Sequence, residues 1–538
     1  MYKESKDNVP DVEKDAARET LSPSPNLPTN SNGEPTLPAN ASKWQTLKDY
    51  NHRFETLTGL ESRGISRVPP SERFPVTSTS FLQMGFLWLS ADLTANCMTL
   101  AMLGPLVFEL GFLDAALCSV FGACIGSLGP AYVATWGPRS GHRTMIVARF
   151  FMGYVPSKVT GCLTLVIMIG YGTINCIITG QLLSAVNGSG LSLIPGIIIV
   201  STVTLVVAVF GVKAFHAYEN YAWAPQVAIL FILIGSASPN FNISLPSVGT
   251  PHTILANRVS FLGLCISSPL AWSSCAADYF VYHPPTTPKR WIALSTYLSN
   301  ALAFSFGYLL GVGLATGVSL NPAWATAYSD SQGSLILAGF APLGRFGHVC
   351  GVVLALGTIA DNIAATYSAG LVLQVLNEQW LGRVPRWILT VIVCVAYTAC
   401  AIGGRNSLFE IFQNFLALMG YWTAFFVCVI LEEHVLFRSI RRHRAASSAA
   451  ALRDDDDDGF DWDSWNDSSK LPVGAAALSA FLIGWAGAVV TMKQNWYTGP
   501  VARLVGDDGC DLGLWIGSGC TLLTYPVLRL LEVRVLGR

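Results

Sequence analysis

Charged side chains are scarce: Asp, Glu, Lys and Arg make up 12% of the 538 residues, against the roughly 25% usual in soluble domains. With 51% hydrophobic residues and a mean hydropathy of +0.45, that scarcity excludes a soluble globular chain. The formal net charge of −1 points to neither nucleic acid nor an acidic partner, because charge in such a chain matters by location. Paired cysteines are missing as well. Thirteen stand singly, mostly inside apolar runs (Cys97, Cys118, Cys124, Cys162, Cys176), without the spacing of a metal site or a disulfide framework. The eight histidines, at 52, 142, 216, 252, 283, 348, 434 and 443, include no i, i+4 pair. No metal site, no cofactor and no enzymatic activity are therefore expected. The first eighty residues lack the charged, apolar and cleavage regions of a signal peptide, which leaves the first apolar segment as the expected targeting signal.

Long apolar runs are what the chain has in abundance. They fall near 81–110, 112–136, 157–186, 191–211, 221–238, 259–281, 291–319, 347–376, 386–403, 408–431, 471–492 and 510–531. A span of hydrocarbon about 30 Å thick takes about 20 such residues, and a helix closes its own backbone hydrogen bonds, so about twelve transmembrane helices are predicted. Lys and Arg test that count. Arg139, Arg143, Arg149, Lys158, Lys213, Lys289, Arg290, Arg383, Arg386, Arg438, Arg441, Arg442, Arg444, Arg453 and Lys470 all fall on one side. The other side receives only Arg258, Arg345, Arg405, Lys493 and Arg503, so both termini are expected to be cytoplasmic. Residues 1–80 read as a cytoplasmic, mostly disordered tail, 81–431 as a ten-helix core, 432–470 as a charged cytoplasmic loop, and 471–538 as two further helices with a short end. The acidic run at 454–458 reads as part of a solvated linker, with a regulatory role as the alternative. Sequons at Asn187 and Asn242 fall in outer loops, where glycosylation is permitted.

Polar and breaker clusters within spans point to a binding site, because helix-breaking backbone at membrane depth is tolerated where it lines a cavity. The first span crowds Ser90, Asp92, Thr94 and Asn96 before Gly104-Pro105. The sixth carries Ser267-Ser268-Pro269 in its middle and Asp278 at its inner end. Breaks five spans apart are what two inverted repeats of five helices produce. In the third span Tyr171 and Asn175, at i and i+4, share a face, with Gln181 beyond; an aromatic plane beside an amide suits a flat heterocycle, and helix contact fits equally well. Carboxylates within spans are costly: Glu219 near the inner end of the fifth span, and Asp361 beside Asn362 deep in the eighth. Proton coupling and a plain interhelical hydrogen bond are both open for Asp361.

These residues carry a resemblance. "RGISRVPPSER", "MLGPLVFELGF", "WGPRSGHRTMIVARFFMGY", "YGTIN", "FGVKAFHAYENYAW" and "AWSSCAADYFVY", spread over residues 60–435, resemble the fungal purine-cytosine permeases of the nucleobase-cation-symport-1 family. The resemblance implies a LeuT-like fold of two inverted five-helix repeats plus two C-terminal helices. It implies a substrate ring held between Tyr171 and Trp272, with Asn175 at its edge, backbone groups at Ala271 and Ser267, and Asn96 as a further contact. Glu219 matches a position that bears on transport, with Asp361 and Asn362 beside the pathway. The eighth helix of the family typically reads Asn-Asn-Ile-Pro-Asn; here it reads Asp361-Asn362-Ile363-Ala364-Ala365, so the substrate-facing amide is Ala365. The sodium-coupled relatives place hydroxyls where this chain has Ile359-Ala360, so a proton is the expected coupling ion. The implied function is proton-coupled import of a nucleobase-like ring across the plasma membrane by alternating access. A vitamin (pyridoxine-like) or specialised-metabolite paralogue and a non-transporting sensor are the alternatives.

Overall fold

Lipid offers no hydrogen bonds, so a chain built of long apolar runs has to satisfy its backbone within helices. The computed structural model describes residues 64–73, 80–188, 192–210, 212–438 and 460–537, with side chains left out at 80–83 and 212–220. Ten of the described helices are long and apolar enough to cross a bilayer. A bent pair, Met84–Asp92 and Ala95–Leu106, meets at 53° and supplies the first span, while the shorter apolar helix Ala475–Thr491 stands where the eleventh is predicted. The set is consistent with the twelve apolar segments, whose ordinal numbers are kept below.

The packing has the internal symmetry of an inverted repeat. The first span packs on the seventh (Lys289–Gly317), and the sixth (Pro251–Ala271) on the second, which begins at Phe112. Moving each partner five places along the chain converts one contact into the other. The third span (Tyr154–Val186) lies on the ninth (Arg386–Gly404) as the eighth (Arg345–Leu376) lies on the fourth (Leu193–Phe210). The third and eighth also pack along each other, a pairing that is its own counterpart. The last two spans pack together and against the tenth.

The first break falls between Asp92 and Ala95, with Thr94 extended at φ −127°. Neighbours take up the groups it exposes: Cys97 Sγ donates to the Asp92 carbonyl at 2.9 Å, and Asn300 Nδ2 of the seventh span donates to Asp92 Oδ2 at 2.7 Å. The sixth span departs from expectation. It stays helical through Ser267-Ser268-Pro269 and gives way to 3₁₀ turns only at Trp272–Ser274 and Ala276–Tyr279. Proline at 269 leaves the Cys265 carbonyl without its usual donor. Tyr308 Oη, from the seventh span, donates to that carbonyl at 3.3 Å, and the helix continues past the proline to Ala271.

Several connections hold more structure than their composition announces. Thr144–Met152 is a buried helix between the second and third spans, and Pro322–Asp330 and Gln332–Gly339 sit between the seventh and eighth. The tenth helix continues to Arg438 through a π-helical turn. Residues 64–73, expected within the tail, are folded against the start of the Thr144–Met152 region: Val68 N donates to Gly141 O at 2.9 Å, and Arg67 Nε to Ser140 O at 2.9 Å. The rest of the tail, 1–63, and the stretch 439–459 with its acidic run lie outside the described residues. Of the two sequons, Asn187 is exposed, whereas Asn242 Nδ2 donates to Ser319 Oγ at 3.0 Å.

Candidate functional site

Tyr171, on the third helix, and Trp272, at the sixth-span break, face each other with ring centroids 6.1 Å apart and planes within 13° of parallel. Both are buried. Tyr171 Oη donates to the Ser268 carbonyl at 3.1 Å, which orients its ring. Trp272 is braced edge-on by Trp88 at 5.7 Å and by Tyr279 at 6.3 Å, and Trp88 is anchored in turn by Nε1 donating to Thr296 Oγ1 at 3.2 Å. Phe415, on the π-helical turn of the tenth span, meets the Tyr171 ring edge-on at 6.4 Å and 84°. Its ring lies over Gly170, where any Cβ would overlap it. A ring stacked on both faces needs roughly 3.5 Å on each side, or roughly 7 Å in all. The observed pair is just short of that, so a small outward shift of either element admits a planar guest.

Polar groups gather at the edge of this pair. Asn175, one turn beyond Tyr171, is fully buried, and neither atom of its amide makes a bond of ordinary distance and angle, though the amide faces Asp361. Asn96, just past the first break, donates from Nδ2 to Asp361 Oδ2 at 3.3 Å. Asp361 Oδ1 has no partner, nor do the hydroxyls of Ser90 and Thr94 beside the first break. Ala365 is one helical turn from Asp361 on the same face. Ala364 is engaged through its backbone, its carbonyl accepting from Tyr279 Oη at 3.2 Å.

Other expected site residues are placed elsewhere. Asn362, next to Asp361, is turned by the helix toward the third and fourth spans, where Nδ2 reaches Thr204 Oγ1 at 3.4 Å and Cys176 Sγ at 3.8 Å. Ser267 Oγ donates back to Gly263 O at 2.8 Å and abuts Gly420 of the tenth span; Ser268 is the serine of this pair that touches Tyr171. The Ala271 carbonyl accepts from Ser274 Oγ at 2.9 Å. Gln181 joins the short helix Gln332–Gly339, receiving Gly333 N at 3.2 Å and donating to Gln332 at 3.1 Å. Glu219 belongs to the fifth helix (Val212–Ala237), but its side chain lies outside the described residues. Sequence reasoning missed Trp88, Tyr279 and Phe415; the aromatic of "FLWLSAD" just before the first break was the available signal for the first of them. Wider clefts exist: one of about 790 Å³ bordered by Gln181, Asp330, Arg405 and Glu410, and one of about 480 Å³ bordered by Glu109, Asn257, Lys493 and Asp511. Neither touches Tyr171, Trp272 or Asp361, and their open polar walls suit water better than the grip of a planar ring.

The end of the molecule that gathers most of the arginines is tied shut. Arg149, on the Thr144–Met152 helix, is fully buried and pairs with Glu378 just past the eighth span. Lys158 Nζ at 3.1 Å and Tyr154 Oη at 3.1 Å bind the same carboxylate. Burial alone would raise the Glu378 carboxyl, but the Arg149 charge and these bonds outweigh it and hold the group below its usual value of 4.5. Asp278, at the end of the sixth span, caps that same short helix, accepting from Thr144 N at 2.7 Å and Thr144 Oγ1 at 2.9 Å. Residues 460–466 are not a bare linker. Phe460, Trp462 and Trp465 pack on Trp136, Phe150 and His142, and Arg149 donates to Trp465 O at 3.3 Å.

His142 makes this docking sensitive to acid. Burial lowers its pKa to about 4 from the usual 6.5, so the neutral ring donates from Nε2 to Trp462 O at 2.8 Å. A depressed histidine opposes protonation only while it is buried, so docking holds above about pH 6.5 and weakens as pH falls toward 4. Amide hydrogen exchange across 460–466 is expected to speed up over that window. His142→Gln, which keeps a donor, should flatten the response; an unchanged pH profile in that variant would assign it to another group.

Residues 68–509 match the family described as permease for cytosine/purines, uracil, thiamine, allantoin. The chain is 33% identical over 491 residues to the purine-cytosine permease fcyB of Emericella nidulans, covering 90% of this chain and 91% of that one. It is 31% identical over 515 residues to the vitamin B6 transporter TPN1 of Saccharomyces cerevisiae, covering 89% of each. Among solved structures, Mhp1, a nucleobase-cation-symport-1 family transporter in a closed conformation with bromovinylhydantoin bound, superposes with a TM-score of 0.61 at 13% identity, covering 88% of this chain and 95% of that one. That likeness carries the fold: two inverted five-helix repeats with two helices appended.

Proposed function

The chain belongs to the permease family for cytosine/purines, uracil, thiamine and allantoin, and from that premise we propose that it imports a small flat nitrogen heterocycle by proton-coupled alternating access. The near-parallel Tyr171 and Trp272 rings carry this reading. They sit on different repeats, one on an unbroken helix and one at a break, so relative movement of the two elements opens or closes the clamp. Asn175 and Asn96 supply donors and acceptors for the guest's edge. A proton rather than sodium is the coupling ion in this reading: the Thr358 hydroxyl, beside Ile359-Ala360, is already bonded to Thr179 and to Ala355 O. The arginine-rich end faces the cytoplasm, with both termini, and the plasma membrane is the site of action.

A purine or cytosine is the first candidate. The relative that carries vitamin B6 and the apolar Ala365 favour a second, a pyridoxine-like ring. Losing one buried partner to a polar substrate group costs on the order of 1–3 kcal/mol, enough to change which ring is preferred. Uptake of labelled cytosine and pyridoxine is measured in a host lacking its own permeases. Ala365→Asn is expected to raise cytosine uptake relative to pyridoxine by roughly 10-fold. If neither compound, nor any base in a competing panel, enters or competes at millimolar concentration in the wild type, the proposed function fails.

A further inference from the structure

At the end opposite the arginine-rich one, the loop between the last two spans is bonded to the tenth helix through one carboxyl. That loop forms a hairpin, Lys493–Gln494 paired with Tyr497–Thr498, and reaches the twelfth helix at Gly513 by way of Asp511. Tyr421, on the tenth helix, places Oη 2.6 Å from Asp511 Oδ1 and 2.5 Å from Oδ2. One hydroxyl hydrogen cannot serve both oxygens of a carboxylate. A protonated acid matches the geometry: its Oδ2–H donates to Oη while Oη–H donates to Oδ1. Gln494 Nε2 donates to Tyr421 Oη at 2.8 Å and lies 3.2 Å from Asp511 Oδ2. Gly513 N donates to Asp511 Oδ1 at 3.0 Å, and Asp511 N to Ser260 Oγ of the sixth span at 2.9 Å. The hairpin also reaches further along the tenth helix: Asn495 N donates to Asn414 Oδ1 at 3.2 Å, and Asn495 Nδ2 to Gln413 Oε1 at 2.8 Å. Both acceptors belong to the π-helical turn Phe412–Leu416, whose Phe415 meets the Tyr171 ring. A π turn departs from α-helical bonding, and here side-chain bonds from the hairpin help to fix it.

We propose that Asp511 is a proton-sensing positioning residue: protonated, it docks the hairpin on the tenth helix and so holds Phe415 against Tyr171. The inference rests on Tyr171 and Trp272 being the ring clamp. Asp511 borders the cleft of about 480 Å³, which gives protons from that side a path to it. It precedes the twelfth span, and burial raises its carboxyl pKa from 3.8 to about 6 against the opposing bonds from Tyr421, Gly513 and Gln494. A carboxyl with a higher pKa docked than free in water makes docking strongest below about pH 4 and weaker as pH rises through 6. Lys493, Glu109 and Asp508 border the same cleft, and among the described residues none of their charged groups is bonded to this carboxyl. Lys493 Nζ donates instead to Gly509 O at 3.2 Å, and the neighbouring Cys510 Sγ to Ala256 O at 3.4 Å.

Amide hydrogen exchange is followed on the full chain in lipid nanodiscs between pH 4.5 and 7.5, with rates corrected for the intrinsic pH dependence of exchange. Residues 493–498, 510–513 and 412–416 are expected to exchange roughly 10-fold faster or more at pH 7.5 than at pH 4.5, with a midpoint near 6. This sign is opposite to the one expected at 460–466, so a general loosening of the protein is told apart from release of the hairpin. Asp511→Asn keeps the donor and acceptor of the protonated acid without a titrating group, and should exchange slowly throughout. Tyr421→Phe should exchange fast throughout. The wild-type profile is a test even if a variant does not fold: exchange that does not respond to pH overturns the inference. An Asp511→Asn protein that keeps the response, or is fast at both ends, overturns it too. So does a hairpin that titrates while 412–416 does not, since another contact then holds Phe415. Exchange needs no substrate, so failure of the clamp reading looks different: Trp272→Ala then keeps wild-type uptake.

Discussion

Trp272→Ala is expected to lower substrate uptake by roughly 10- to 100-fold, with the protein still reaching the membrane. Stacking a heterocycle on one aromatic face contributes about 1–3 kcal/mol, and the variant removes one of two faces. Transport is expected to lose more than binding does, because Trp272 stands where the sixth helix gives way to 3₁₀ turns. The indole also fills a buried niche between Trp88 and Tyr279, so its removal leaves two aromatic edges without a neighbour. Trp272→Phe separates the two contributions: it keeps a plane against Tyr171 and should retain most of the activity. Initial rates of uptake, normalised to protein at the cell surface, are the measurement. Wild-type rates in Trp272→Ala would remove the clamp from the mechanism.

Much of the fold was legible because lipid imposes length and composition on every span, and the breaks betray themselves by polar residues in apolar surroundings. The first break fell where Asp92 and Thr94 announced it. The sixth did not, because the signal used was Pro269, whose local cost is offset by Tyr308, a hydroxyl some forty residues along the chain. No local pattern contains such a partner. The same limit explains Asp361 and Asn362: their adjacency was visible, but helical rotation sends one to the first span and the other to Thr204. The bracing aromatics Trp88, Tyr279 and Phe415 come from three spans and meet only once the chain is folded. Residues 460–466 were hidden by the charge run before them, which reads as solvated linker although three aromatics follow it closely.

Removing the charge that closes the arginine-rich end should open it. Arg149 is fully buried and Glu378 is 14% exposed, so the pair is bonded in a place where water reaches only one partner. Breaking a buried pair by deleting one member costs about 3–5 kcal/mol, chiefly from the charge left behind. In Glu378→Gln the stranded charge is Arg149, whose remaining partners are neutral: the Trp465 and Val375 carbonyls, the Asn466 side chain and the Tyr154 ring. The cost is expected to appear as a shift toward a state open at that end and less as unfolding. A change of about 3 kcal/mol moves such an equilibrium more than 100-fold. Val375 is buried behind the pair. A cysteine introduced there by Val375→Cys is expected to react at least 10-fold faster with a membrane-impermeant maleimide, applied from the arginine-rich side, when Glu378→Gln is added. Arg149→Met should do less harm, because Glu378 keeps Lys158 and the Tyr154 hydroxyl and can reach water. The double variant should label no faster than Glu378→Gln alone, since the two changes remove one interaction. Labelling that stays at the wild-type rate in Glu378→Gln would show that the aromatic packing of residues 460–466, and not the ion pair, holds this end closed.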